Sequence, residues 1–174
     1  GGVASRLDAG RVSRQSLPAM NDPDPTDPME IALAEAEAAA SRDEVPVGAA
    51  ILDRTTGRIV ASAGNRVEAL RDPTAHAELL AIRAAAAALG AKRLPDCELW
   101  VTLEPCPMCA QAASVGRVTR RVHAADGPRG GGVAHGPRIF EQPTCFHRPE
   151  IARASEDQAR RAGDLLRDFF RARR

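Results

Sequence analysis

At 174 residues, with 44% hydrophobic and 27% charged residues, the chain is long enough for one domain with a real core. A formal net charge of +1 does not announce nucleic-acid binding, and no apolar run is long enough to span a bilayer. No secretory signal pattern is visible, and two of the four cysteines fall in a metal-like motif rather than a disulfide frame. The expectation is a protein of a reducing, cytoplasmic compartment, away from any membrane.

Residues 1–28 stand apart. They contain Gly1-Gly2, several serines and the Asp- and Pro-rich run Asn21 to Pro28, which cannot bury much apolar surface. They are expected to be a disordered leader or an expression remnant, with Met20 as a candidate natural start. Arg6, Arg11 and Arg14 would also fit a transit peptide, although no amphipathic pattern supports one. The folded domain is expected over 29–174. Met29 to Ala40 is rich in Ala and Glu and reads as a helix. Val45 to Leu52 is an apolar run, hence a buried strand. Arg54-Thr55-Thr56-Gly57 reads as a hairpin turn into a paired strand, Arg58 to Ala63.

A second helix is expected from Ala77 to Leu89, ended by Gly90, with Thr74 after Pro73 as its cap. Glu98 to Leu103 reads as a third strand that delivers Cys106 at its end. After a short helix around Cys109, Val118 to Ala125 reads as a fourth strand. Gly127 to Pro149 is a long loop rich in Gly and Pro, of the kind that carries function. Ile151 to Arg173 is expected to close the chain as a helix. The layout is a sheet with helices on both faces, with a site where strand ends meet helix starts.

The chemistry sits in His76-Ala77-Glu78 and Pro105-Cys106-Pro107-Met108-Cys109. His76, Cys106 and Cys109 supply three zinc ligands, and Glu78 is a carboxylate left over. Three ligands suit a catalytic zinc, which keeps one position open, whereas a structural zinc is closed by four. Cys106 and Cys109 are three apart and share a helix face. Pro105 and Pro107 suit a helix start, whose positive end favours thiolates. Glu78 is two residues from His76, so it is poorly placed to ligate and well placed to move a proton. This H-x-E and P-C-x-x-C pattern marks zinc-dependent nucleobase deaminases. A redox C-x-x-C would leave His76 and Glu78 without a role. A four-ligand structural site would need Cys97 or Cys145, and Cys145, in a loop, is the more serious rival.

Only one of the 24 basic residues, Lys92, is a lysine, and the last sixteen residues carry six arginines against two aspartates. Phe169-Phe170 interleaves aromatics with that charge, as stacking sites for nucleic acid do. An amphipathic helix burying Leu165, Leu166 and Phe169 with Arg facing water would look the same, and both readings can hold together.

Glu44 to Ala49, Gly64-Asn65-Arg66, Asp72 to Glu78, Val101 to Ala110 and Leu165 to Arg174 together resemble the bacterial tRNA-specific adenosine deaminases, over about residues 29–174. That resemblance implies a cytidine-deaminase-like three-layer α/β/α fold with a mixed central sheet of about five strands. It further implies a homodimer and conversion of adenosine to inosine at the wobble position of a tRNA anticodon loop. Zn²⁺ would be held by His76, Cys106 and Cys109, with Glu78 shuttling the proton. Asn65 would bond the purine, Val45 would line its pocket, and Phe169, Phe170 and Arg171 would lie along the anticodon loop. Two departures bear on substrate choice. His123-Ala124-Ala125 stands where the family has an aromatic residue, Gly and Ala. Gly127 stands where the family has an Asp, with Asp126 one place early. The zinc core alone fits another substrate class equally, a free nucleobase or nucleoside such as guanine or cytosine. His123, on a strand, reads as a satisfied core or interface histidine rather than a ligand.

Overall fold

The computed structural model describes residues 27–174. The expected leader therefore lies outside the described residues except for Asp27 and Pro28, which open the first helix. Helix α1 (Pro28–Ser41) starts with Pro at its first position, and the Asp27 side chain accepts from the Met29 N–H. Strands β1 (Gly48–Asp53) and β2 (Arg58–Gly64) form the expected hairpin. After a short helix α2 (Val67–Leu70) come α3 (Ala77–Leu89), β3 (Cys97–Leu103), α4 (Pro107–Val115) and β4 (Arg120–Ala125). The chain ends with β5 (Glu150–Arg153) and α5 (Glu156–Arg171).

The five strands form one mixed sheet in the order β2-β1-β3-β4-β5. β1 runs antiparallel to both β2 and β3, while β3, β4 and β5 are parallel. Side chains alternate between faces, as strand geometry requires. Ile51, Leu99 and Val101 pack with Ala77, Ala81 and Ala85 of α3 and Ala113 of α4. Ala50, Val122 and Ala124 pack with Met29, Ala32 and Leu33 of α1 and Ala162 of α5. The three-layer α/β/α architecture expected from the resemblance is thus the one observed.

Alanine-rich helix faces allow close approach. At Gly48 an added Cβ would lie 1.9 Å from the Ala32 carbonyl oxygen, so α1 rests directly on the backbone of β1.

Four local expectations change. The strand expected from Val45 begins only at Gly48, because Val45 and Val47 turn towards the cleft described below. The fourth strand expected from Val118 begins at Arg120. The single closing helix expected from Ile151 is in fact a strand followed by a helix: Glu150–Arg153 adds to the sheet edge beside β4. Ser155 then opens α5 with a capping box, its side chain accepting from Gln158 N–H while the Gln158 side chain accepts from Ser155 N–H. Thr74 does not cap α3. Its hydroxyl bonds Asp72, and the helix begins at His76 with no capping bond from that residue's own side chain. Among the described residues no helix is long and apolar enough to cross a membrane.

Candidate metal centre and substrate cleft

His76 and Cys106 occupy equivalent places, each the residue immediately before a helix, α3 and α4 respectively. Neither side chain caps its own helix, so both are free to face each other. His76 Nδ1 lies 3.6 Å from Cys106 Sγ and 3.6 Å from Cys109 Sγ. A tetrahedral zinc with about 2.0–2.1 Å to nitrogen and about 2.3 Å to sulfur places those atoms about 3.5–3.6 Å apart. Both nitrogen–sulfur distances thus match a tetrahedral zinc, and the three donor atoms all lie within 4.8 Å of one another. The Asn65 side chain organises the set from outside: its Oδ1 accepts the Ala77 N–H at 2.8 Å, supplying α3 with the cap that Thr74 does not provide.

The thiols are electrostatically unequal. Cys106 is held down to about pKa 4, first by a hydrogen bond from Cys109 and also by bonding to His76. Cys109 is pushed up by that same shared hydrogen bond and by burial. The His76 imidazole is raised, mainly by its bond to Cys106. A cation held by these three side chains would displace the protons of the thiols.

Neither Cys97 nor Cys145 joins this group; among the described residues it contains His76, Cys106 and Cys109 alone. Cys145 is buried beside α4, 3.4 Å from Ser114 Oγ and 3.1 Å from the His147 carbonyl oxygen. A fourth ligand from the loop is thus not in place.

Glu78, the second residue of α3, lines the cleft described below at only 4% exposure, and its Oε2 has no hydrogen-bond partner. Burial raises its pKa above the ordinary carboxylate value. A buried carboxylate with one free oxygen beside these three donors is placed to take up a proton.

Above the tripod opens a cleft of about 550 Å³, lined mostly by apolar surface. His76, Glu78 and Cys106 form its floor, and Val45, Val47 and Asn65 are in its walls. Of the three tail residues expected at the substrate, the structure brings only Phe169 to the cleft. Phe170 is 48% exposed and Arg171 is also exposed, and neither lines the cleft. Arg173 takes their place. Its guanidinium stacks 3.4 Å from the Phe169 ring centroid and donates to Asp43 at 2.9 Å. Arg173 is one of the six arginines of the basic tail, and the path of the chain just beyond α5 turns it toward the cleft.

The departures on β4 also find their places. His123 Nε2 lies 3.0 Å from Asp126 Oδ1, and Asp126 also pairs with Arg153. Asp126 is thereby committed outside the cleft, and Gly127 is the residue that lines it. Next to His123 is Arg121, fully buried, its Nε and Nη2 without partners. Burial brings its pKa down to about 10.

Residues 24–125 match the cytidine and deoxycytidylate deaminase zinc-binding region. The chain belongs to that deaminase family. It is 48% identical to a tRNA-specific adenosine deaminase of Agrobacterium fabrum, over 84% of this chain and 93% of that protein. A solved structure from work on A-to-I editing by tRNA:A34 deaminases superposes with a TM-score of 0.76 at 48% identity, covering 81% of this chain and 99% of that one. A guanine deaminase of Nitrosomonas europaea is more distant: 28% identical, TM-score 0.65, covering 97% of this chain and 98% of that one. This deaminase is accordingly an enzyme of hydrolytic type, from a family described as zinc-binding.

Proposed function

We propose that the enzyme deaminates adenosine to inosine at the wobble position of tRNA, with His76, Cys106 and Cys109 holding Zn²⁺ and Glu78 moving the proton. The observation that carries this reading is the zinc-like spacing of His76 Nδ1 from both thiol sulfurs, with the buried Glu78, its Oε2 free of any partner, beside them. Zinc bound there supplies Lewis acidity that brings the ionisation of water into the neutral range. Water adds to C6 of the adenine ring. Its proton passes to the Glu78 carboxylate, which delivers it to the ring nitrogen next to C6. A second proton follows the same route to the departing amine. The C6–N bond breaks, ammonia leaves and C6 keeps the oxygen, with no change of oxidation state. The raised pKa of Glu78 suits a group that must hold a proton between two transfers.

Asn65 orients the ring. Its Oδ1 is occupied by the Ala77 N–H, which leaves the amide NH₂ to donate to a purine nitrogen. Val45 and Val47 supply the apolar walls. A cleft of about 550 Å³ has space beyond a single base, and a stacked arginine and phenylalanine stand at its rim. Such a rim fits a flipped base still attached to its strand, with neighbours to stack and phosphates to pair. Phe170 and Arg171, outside the cleft, remain available to more distant nucleotides of the anticodon loop.

We further infer a cytoplasmic homodimer. Met108 and Val115, seven apart on the outer face of α4, are 37% and 65% exposed, and Phe146, in the loop tied to Ser114, is 86% exposed. Exposed apolar side chains of this size are what an interface buries. Sedimentation of the wild type as a dimer and of Val115→Asp as a monomer would support this.

The substrate test is direct. Zinc-loaded enzyme is incubated with a tRNA bearing adenosine at the wobble position, and the product is sequenced for inosine. Free guanine, cytosine and adenosine are assayed in parallel for ammonia. Conversion of the tRNA far faster than any free base is expected. Comparable rates on free guanine would move the assignment to base catabolism.

A further inference from the structure

None of the roles assigned above uses Glu104, yet it is the most heavily bonded side chain near the cleft. It is 2% exposed and lies two residues before Cys106. Its Oε2 accepts the backbone N–H groups of Val133 at 3.3 Å, Ala134 at 3.2 Å and His135 at 3.2 Å. Its Oε1 accepts the Gly127 N–H at 3.4 Å and meets His135 Nδ1 at 2.7 Å. Burial alone would raise this carboxyl, but the bonds from His135, Gly127 and Val133 outweigh it and hold the pKa below the ordinary value.

One carboxylate is thus wrapped by a single loop, residues 127–135. The wrapping is close. At Gly131 an added Cβ would lie 2.0 Å from Glu104 Oε2 and 2.6 Å from the Gly127 carbonyl oxygen. The Gly132 N–H donates to the Pro105 carbonyl at 2.8 Å, tying the same loop to the segment that carries Cys106. Gly127, Gly130 and Gly131 form the substrate side of the cleft. Three consecutive glycines leave that segment with large conformational freedom, so something outside it must select one shape.

We propose that Glu104 is a positioning residue: it moulds the Gly127–His135 loop around its carboxylate and so sets the height of the substrate lip above the metal tripod. The loop's register with Cys106 then follows from this side chain and not from the loop's own preferences. The inference rests on the cleft being the substrate site.

Glu104→Gln separates the two halves of the contact. An amide oxygen in the place of Oε2 keeps the three N–H groups of Val133, Ala134 and His135. The NH₂ in the place of Oε1 faces the Gly127 N–H, donor against donor. Hydrogen exchange of the zinc-loaded protein should show Gly127 exchanging faster, with smaller changes at Val133 to His135, and zinc content should equal wild type. With an anticodon stem-loop RNA as substrate, KM should rise about fivefold, the value of one hydrogen bond, with kcat within about twofold. Gly131→Ala, which pushes the loop off the carboxylate, should reproduce the KM effect with zinc retained.

Unchanged exchange at Gly127 would overturn the proposal. So would lost zinc, or a fall in kcat at constant KM, since Glu104 would then serve the metal segment instead. If the wild type fails to act on the RNA, the substrate reading falls while the exchange measurement still decides the role of Glu104.

Discussion

The floor of the cleft and its lip are built in opposite ways. The floor is made by two helix starts, where His76 and Cys106 sit before α3 and α4 and Cys109 follows one turn on. Local rules place these atoms, and the alanine-packed core beneath them holds the helices still. The lip comes from a glycine-rich loop and the last turn of α5, brought together by long-range contacts to Glu104 and Asp43. The donor set is therefore encoded in short motifs, and the rim of the cleft in tertiary contacts.

That division can be broken most severely at the floor. Cys109→Ser should take bound zinc from about one per chain to near zero and abolish turnover, by elemental analysis and inosine formation. Retained zinc would mean that some other residue completes the set. Glu78→Ala should keep the metal and the melting temperature yet lower kcat by about 10²–10⁴-fold, the usual contribution of a general acid–base group. Near-normal turnover would remove Glu78 from the mechanism.

At the lip, effects should be smaller and depend on salt. Arg173→Ala should weaken binding of the anticodon stem-loop and reduce the slope of log affinity against log salt by about one, with kcat little changed. An unaltered slope would place Arg173 off the phosphates. Smallest of all is a change remote from both. Glu30 on α1 pairs with Arg161 on α5 at 2.6 and 2.8 Å. Hydrogen bonding from Arg161 lowers the Glu30 pKa in the folded state, so the pair stabilises the fold above the unfolded carboxylate value and stops doing so as pH falls through the folded one. Glu30→Gln should cost about 1 kcal/mol at pH 7 in denaturant titrations, with the difference vanishing in acid.

The same contrast explains what could be read from residues alone. The tripod, the leftover carboxylate, the hairpin and α1, α3 and α4 follow from spacing, apolar runs and Gly or Pro punctuation, all local signals. The β5–α5 break does not, because Ile151-Ala152-Arg153 has no strong strand pattern and becomes a strand only by pairing with β4. A local signal was present one step later, in the Ser155 and Gln158 capping box. The Asn65 contact to α3 spans twelve residues and has no sequence signature. The inward turn of Arg173 and the outward commitment of Asp126 to His123 and Arg153 are likewise visible only in space.

The seating of α1 on Gly48 has a practical consequence for anyone reshaping this enzyme. With no gap between helix and strand, the main chain leading from Val45 into β1 cannot shift outward to admit a bulkier ring. On the proposed function, new room for altered bases would come from trimming Val45 or Val47, which line the cleft, and not from a breathing scaffold.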